Sequence, residues 1–445
     1  MNATSSPTAT VSPPPVPTGW KGYLKGVGPG LVVAMSWLGT GDLIDSSVAG
    51  GNYGYALMWA MTLACITKYF YASGLAKYQL VQQVRGHHAA RRVPQAVALV
   101  PLLLGIGALI TGFVLQTYIA RGIGTALFHL SGGLGGDRWG VAIWTTVGIL
   151  LTIGLALSKS RQYRILEYVA RATVVVLILT FVTTAAVNRP DASELGAGLL
   201  FSLPEDRGVF SSLLVAVALV AAIGSSIGTL LYSEFVRDKG WVGPQYLKLQ
   251  RFDLAVGLGA TVLINLAIWT VAAETLQGTG RTIENEQHLS DMMATAVGSI
   301  GPTLLWISFF FITFSSFPAY GRGYATLFLS GIHSSFESRG QRYGSPENDP
   351  LYKWIQFGLL YSVPVVFGLP MFSNLVALTV AGNSVAGLLA PFVIIGILVL
   401  TSRKSMMQDG YANRPWEIAV LAAVGLFAVW ASWGVVKGLL SMLPG

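Results

Sequence analysis

Apolar segments of about 20 residues, each long enough to cross the roughly 30 Å hydrocarbon layer of a bilayer as a helix, succeed one another along this chain. They fall at 28–50, 54–80, 96–130, 139–158, 164–187, 208–236, 252–274, 301–331, 353–370, 373–401 and 416–440. This succession leaves few folds open. In hydrocarbon every backbone N–H and C=O must be satisfied internally, so the spans must be helices. Of the 445 residues 53% are hydrophobic and only 11% are charged, against about 25% charged in a soluble domain. The expected class is an all-α polytopic membrane protein with eleven transmembrane helices.

The loop charges alternate. One set of loops carries Arg85, Arg91 and Arg92; Lys159, Arg161 and Arg164; Arg237, Lys239, Lys248 and Arg251; Arg339 and Arg342; Arg403, Lys404 and Arg414. The opposite set carries Asp191, Glu194, Glu205 and Asp206, then Glu284, Glu286 and Asp291. Positive loops stay inside. The N-terminus is therefore expected in the cytoplasm and, after eleven spans, the C-terminus outside. The net charge of +8 is a topology signal, and nucleic acid is not an expected partner. Residues 1–20, rich in Pro, Ser and Thr and without an apolar core, read as a disordered cytoplasmic tail. Residues 21–445 read as a single transmembrane domain. Cys65 is the lone cysteine, which excludes an internal disulfide.

Two spans are interrupted. In the first, "WLGTGDLIDSSVAGG", Gly39, Thr40 and Gly41 precede Asp42 and Asp45. Each glycine weakens a helix by roughly 1 kcal/mol relative to alanine. An intramembrane carboxylate costs at least about 2.5 kcal/mol at the bilayer centre on insertion scales. Asp42 and Asp45 share a helix face. They read either as functional groups or as solvated caps near the interface. In the sixth span, "VAAIGSSIGTLLYSEF", Gly224, Ser225, Ser226 and Gly228 break an apolar run and Glu234 follows. Breaks in corresponding spans mark an inverted repeat of five plus five helices, with substrate held at the two breaks near the midplane. Repeat one spans about 28–187, repeat two about 208–401, and an extra helix about 416–440.

The segment "GPGLVVAMSWLGTGDLIDSSVAGGNYGYALMW", Gly28 to Trp59, resembles the first span of the Nramp metal-ion transporters. So do "GIGTAL" in the third span, "YRILEYV" leading into the fifth, "LLYSEFVRDKGW" after the sixth and "NSVAGLLAPFVIIGILVLTSRKSMM" in the tenth. The resemblance implies a LeuT-type fold, proton-linked uptake of divalent transition metals and a prokaryotic-type protein of the bacterial inner membrane. The departures lie at the family's chemistry. Its first-span Asp-Pro-Gly-Asn falls on Gly39-Thr40-Gly41-Asp42, and its sixth-span Met-Pro-His on Ser225, Ser226 and Ile227. A third-span glutamate linked to proton movement is matched by Arg121, a sixth-span histidine by Tyr232, and a tenth-span glutamine by Asn383.

Without the thioether, soft metals lose their preferred ligand. One reading is a hard divalent cation of the Mg²⁺ or Mn²⁺ type. Its ligands would be Asp42, Thr40, Ser225, Asn383 and the carbonyls around Gly39 and Gly224. The other is a small anionic or neutral solute, cradled by the N–H groups of Gly39-Thr40-Gly41 and Gly224-Ser225-Ser226 with Arg121 as its positive charge. A sensor or non-transporting relative is a third. Asp45, Arg121, Tyr232 and Glu234 are candidates for coupling or gating. Arg121 could equally be structural, paired with Asp45 or Glu234. The replacements at 121 and 232 predict little proton co-movement. An enzyme is not expected, because no nucleophile–base pair appears and the five histidines are scattered. No cofactor is expected, and no partner beyond the bilayer and a small ion or solute.

Overall fold

The computed structural model describes residues 15–27, 39–82, 95–158, 175, 178–187, 190, 192–225, 229, 232, 236, 239–371, 374–404, 407 and 410–441. All regular structure among these is helical. A short α1, Gly19–Gly26, precedes the first break. It begins inside the segment expected as a disordered tail. Then come α2, Thr40–Tyr53; α3, Met58–Gln82; α4, Gln95–Leu130; α5, Gly136–Ser158; and α6, Ile178–Val187. Beyond them are α7, Ala192–Gly198; α8, Ser212–Leu219, continued by a π-helical turn at Val220–Ser225; α9, Leu247–Leu276; α10, Glu286–Val297; and α11, Gly301–Ser335. The chain closes with α12, Glu337–Tyr343; α13, Pro350–Phe357; α14, Val363–Phe367; α15, Leu375–Gly387; α16, Ala390–Ser402; and α17, Pro415–Ser441.

Five helices among the described residues are long and apolar enough to cross a membrane: Pro101–Leu130, Pro244–Leu276, Gly301–Ser335, Leu375–Ser402 and Pro415–Lys437. The first half of the first span and residues 164–174 of the fifth lie outside the described residues. The ninth span is divided by a π-helical segment, Gly358–Ser362, and the tenth by a turn at 388–389. Segments expected as loops contain α7, α10 and α12. In α10 the Asn285 side chain accepts the His288 N–H at 3.0 Å, capping a helix that buries Leu289, Met292 and Met293.

Small residues bring the long helices together. Helices α4 and α11 cross where a methyl on Gly331 would lie 2.4 Å from the Pro101 carbonyl oxygen and 2.9 Å from Gly105 Cα. Helix α2 lies against α9, where a methyl on Gly50 would meet the Trp269 carbonyl oxygen at 2.4 Å. Polar bonds reinforce that contact: Ser46 Oγ donates to Asn265 Oδ1 at 3.0 Å, and Trp269 Nε1 to Gly54 O at 2.8 Å. Glu417 of α17 accepts from Lys77 of α3 at 3.4 Å and Arg251 of α9 at 3.3 Å. Exposed Leu103, Ile110, Leu150, Phe392, Leu426 and Trp433 give the exterior the apolar surface a lipid environment demands.

Candidate substrate site at the broken helices

The site starts at Gly39. Its backbone is extended, φ −107° and ψ 178°, and the helix begins only at Thr40. Thr40 and Gly41, expected within the break, already form the first helical turn. That turn leaves N–H groups without intrahelical partners. Asp42 answers by folding back: its Oδ2 accepts the Gly39 N–H at 3.1 Å. All 14 residues of α2 are buried, so Asp42 is a cap but not a solvated one.

Asp45, one turn on, is fully buried, against the alternative of a solvated carboxylate. Its Oδ2 accepts from Asn383 Nδ2 of α15 at 2.6 Å, and Asn383 Oδ1 accepts from the Tyr118 hydroxyl of α4 at 3.0 Å. Gly41 is where these groups close on the backbone: a methyl there would sit 2.8 Å from Asn383 Nδ2 and 3.1 Å from the Tyr118 oxygen.

A cavity opens beside this cluster. It is lined by Gly39, Thr40, Gly41 and Asp42, by Tyr118, by Ala221 and Ala222 of the π-helical turn, by Ser316 and Tyr320 of α11, and by Asn383. Asp42 Oδ1, Asp45 Oδ1 and Thr40 Oγ1 have no hydrogen-bond partner among the described residues. Of these, Asp42 and Thr40 line the cavity, and their buried oxygens are acceptors for a cation or a donor-bearing solute; Asp45 stands behind them, joined through Asn383. Among the described residues no three His, Cys, Asp or Glu side chains converge as metal ligands. A cation here would be held by the carboxylates with hydroxyl, amide and backbone oxygens, a donor set suited to hard ions.

Gly39, Thr40, Gly41, Asp42 and Asn383 thus come together as expected from sequence, and Asp45 joins them through Asn383. Gly224 and Ser225 lie on the π-helical turn whose alanines line the cavity. Ser226, Glu234 and the side chain of Ser225 lie outside the described residues. Arg121 is placed elsewhere. It lines a second cavity with His129, Asp137, Arg138 and Glu286, and Glu286 is its electrostatic partner. Tyr232 also stands apart: its hydroxyl donates to Asp253 Oδ2 at 3.2 Å, at the start of α9. Tyr118, Ser316 and Tyr320 belong to the site although sequence pattern alone does not single them out. Lys68 of α3 is fully buried, and its ammonium and the Asp42 carboxylate act on each other electrostatically. A signal for it exists in the sequence, since a lysine inside an apolar span is a functional candidate by default.

A family model described as natural resistance-associated macrophage protein-like, Nramp, matches residues 30–437. The chain belongs to the Nramp family. The divalent metal cation transporter MntH of Ralstonia nicotianae is 23% identical over 441 residues, covering 96% of this Nramp chain and 94% of that protein. MntH of Mycobacterium tuberculosis is 28% identical over 287 residues, 61% of this chain and 62% of its own. Among solved structures, the Eremococcus coleocola manganese transporter bound to an aromatic bis-isothiourea compound superposes with a TM-score of 0.71. It is 16% identical and covers 97% of this chain and 91% of its own. That likeness establishes an Nramp fold. By the resemblance, the family's first-span aspartate falls on Gly39, three residues before Asp42, whose Oδ2 accepts the Gly39 N–H.

Proposed function

We propose that this chain is a secondary transporter of a hard divalent cation of the Mg²⁺ or Mn²⁺ type, working by alternating access. The observation that carries the reading is the pair of buried carboxylates, Asp42 and Asp45, each with one oxygen free of hydrogen bonds among the described residues, at a helix break in an Nramp chain. The relatives, a divalent metal cation transporter and a manganese transporter, agree with this reading. The described cavity lining has no thioether, thiol or imidazole, which favours hard ions over Cd²⁺. Helices α2 and α9 are tied by Ser46–Asn265 and Trp269–Gly54, as elements that rock together must be. The N-terminus is cytoplasmic and the C-terminus outside, by the alternation of loop charge.

A small anionic or neutral solute is the second reading, favoured by the N–H groups at the start of α2. Uptake into proteoliposomes decides between them. Mn²⁺ or Mg²⁺ should accumulate and Cd²⁺ should not. Ser225→Met alone should not restore Cd²⁺ uptake, because the first-span carboxylate is also displaced. Robust Cd²⁺ uptake by the natural chain, or failure to move any divalent ion, would overturn the reading.

A further inference from the structure

A cavity at one end of α3, α9 and α17 takes no part in the transport reading. Glu417 is the sole carboxylate among its described lining residues, and two cations share it. Lys77 Nζ of α3 lies 3.4 Å from Oε2 and Arg251 Nη2 of α9 lies 3.3 Å from Oε1, which leaves positive charge in excess. Donors are left over as well. The Lys77 ammonium has three N–H groups and gives one to Glu417 and one to Asn413 Oδ1 at 2.6 Å. Arg251 has five and bonds through Nη2 alone among the described residues. Asn413 lines the cavity and donates to Thr401 Oγ1 at 2.6 Å. More positive charge comes to this corner with it: exposed Arg414 follows Asn413, and exposed Arg403 and Lys404 follow Thr401 by two and three residues.

Along α3 the surface here is graded. Ile66, Phe70, Ser73 and Lys77 share one face of the helix by their spacing of three and four, and in order they are apolar, aromatic, small and cationic. Ile66 is 42% exposed, and Phe70 meets the exposed Trp416 of α17 edge-on with ring centroids 5.7 Å apart. Aromatic rings of this kind mark the membrane–water boundary. Lys77 and Arg251 therefore stand at headgroup level, on the membrane face that carries the basic loops. A phospholipid has the same order from chain to headgroup. We propose that this cavity binds the phosphodiester headgroup of an anionic phospholipid, held by Lys77, Arg251 and Arg414, with its chains along Ile66 and Phe70. Basic recesses between spans on the cytoplasmic side suit such headgroups, and a guanidinium pairs with two phosphate oxygens at once. The bound lipid bridges α3, α9 and α17 and so stabilises their packing. This inference stands independently of which ion the protein carries.

Thermal unfolding of the delipidated full chain in detergent tests this, titrated with phosphatidylglycerol, phosphatidylcholine or inorganic phosphate, while native mass spectrometry counts the lipid retained. Phosphatidylglycerol should raise the unfolding midpoint and remain bound at one lipid per chain, and phosphatidylcholine should do neither. Arg251→Gln and Arg414→Gln should each weaken the apparent affinity for phosphatidylglycerol about fivefold, the effect of one cation near an anionic membrane surface. Arg414 is exposed, so its variant folds even if Arg251→Gln does not. Arg342→Gln, in α12 on the same membrane face, should leave the affinity unchanged. Equal effects of the two lipids, or equal losses in Arg342→Gln and Arg414→Gln, would overturn the inference. A shift from inorganic phosphate as large as that from phosphatidylglycerol at equal concentration would overturn the lipid as the occupant.

Discussion

Asp45, Asn383 and Tyr118 form a single hydrogen-bonded row, and Gly41 is the residue that lets the row approach the helix. A side chain at 41 would push on Asn383 Nδ2 from 2.8 Å and on the Tyr118 oxygen from 3.1 Å. Overpacking of this kind costs about 1–3 kcal/mol, enough to displace the amide that holds Asp45. Gly41→Ala is expected to lower the initial rate of Mn²⁺ uptake by at least about tenfold, taking 1.4 kcal/mol as a factor of ten, in a protein that still reconstitutes. An unchanged rate would show that Asn383 does not orient the site. Asp42 is legible in the sequence because a mid-span carboxylate after two glycines is expensive to keep. The bond from Asn383 to Asp45 is not legible, because its partners are separated by 338 positions and only folding brings them together. Arg121 shows the opposite case. It occupies a position that the resemblance marks for coupling, yet it lines a second cavity together with Glu286.

Five of the expected spans appear among the described residues as long apolar helices, and the irregularities of the spans were only partly readable. The start of α2 at Thr40 and the π-helical turn at Val220–Ser225 fall where glycine and small polar residues interrupt the two spans. Helices α10 and α12 carry too many polar residues to stand out by hydropathy. The long-helix contacts are set by glycines whose role is visible only in three dimensions. At Gly50 a methyl would lie 2.4 Å from a backbone oxygen of α9 that has no freedom to yield. Gly50→Ala should therefore separate α2 from α9 and lower the thermal unfolding midpoint, with a cost of about 1–3 kcal/mol. A midpoint equal to that of the natural chain would contradict the close approach.

Outside the spans, a polar clasp joins the end of α11 to the start of α13. Asp349 accepts from Arg339 Nε at 2.7 Å and Nη2 at 2.9 Å, contacts His333 at 3.0 Å, and caps α13 through the Leu351 N–H at 3.0 Å. The bonds from Arg339 hold the Asp349 carboxyl well below the usual carboxylate range. A depressed folded value gives stability that is present above the unfolded value of about 3.9 and fades as pH falls below it. Asp349→Asn should thus lower the unfolding midpoint at pH 7, with the same deficit at pH 5. The gap should narrow below about pH 4, where the natural carboxyl loses its advantage. A gap that grows with acidification would refute the clasp.

At the scale of the whole molecule, α2 and α9 form one unit tied by side-chain bonds, and α4 and α11 form another through the crossing of Gly105 and Gly331. The substrate cavity lies where the first turn of α2 meets α4, α11, α15 and the π-helical turn. In the proposed alternating-access cycle, relative motion of these units would open and close it. By the resemblance, Arg121 and Tyr232 stand at positions expected to be linked to proton movement, and neither is among the described residues that line the cavity. Mn²⁺ uptake should accordingly proceed without a fixed ratio of internal acidification, read with a pH-sensitive dye trapped in the vesicles. A constant proton-to-metal ratio would contradict this.

The central claim is that Asp42 binds the transported cation. Its most direct test is Mn²⁺ uptake by Asp42→Asn in proteoliposomes, compared with the natural chain at equal reconstitution. The substitution keeps the shape of the side chain and an oxygen for the Gly39 N–H, and it removes only the charge. Loss of Mn²⁺ uptake in a folded, inserted protein is the expected result. Uptake at the natural rate would show that the carboxylate only caps the helix and that the cation site lies elsewhere.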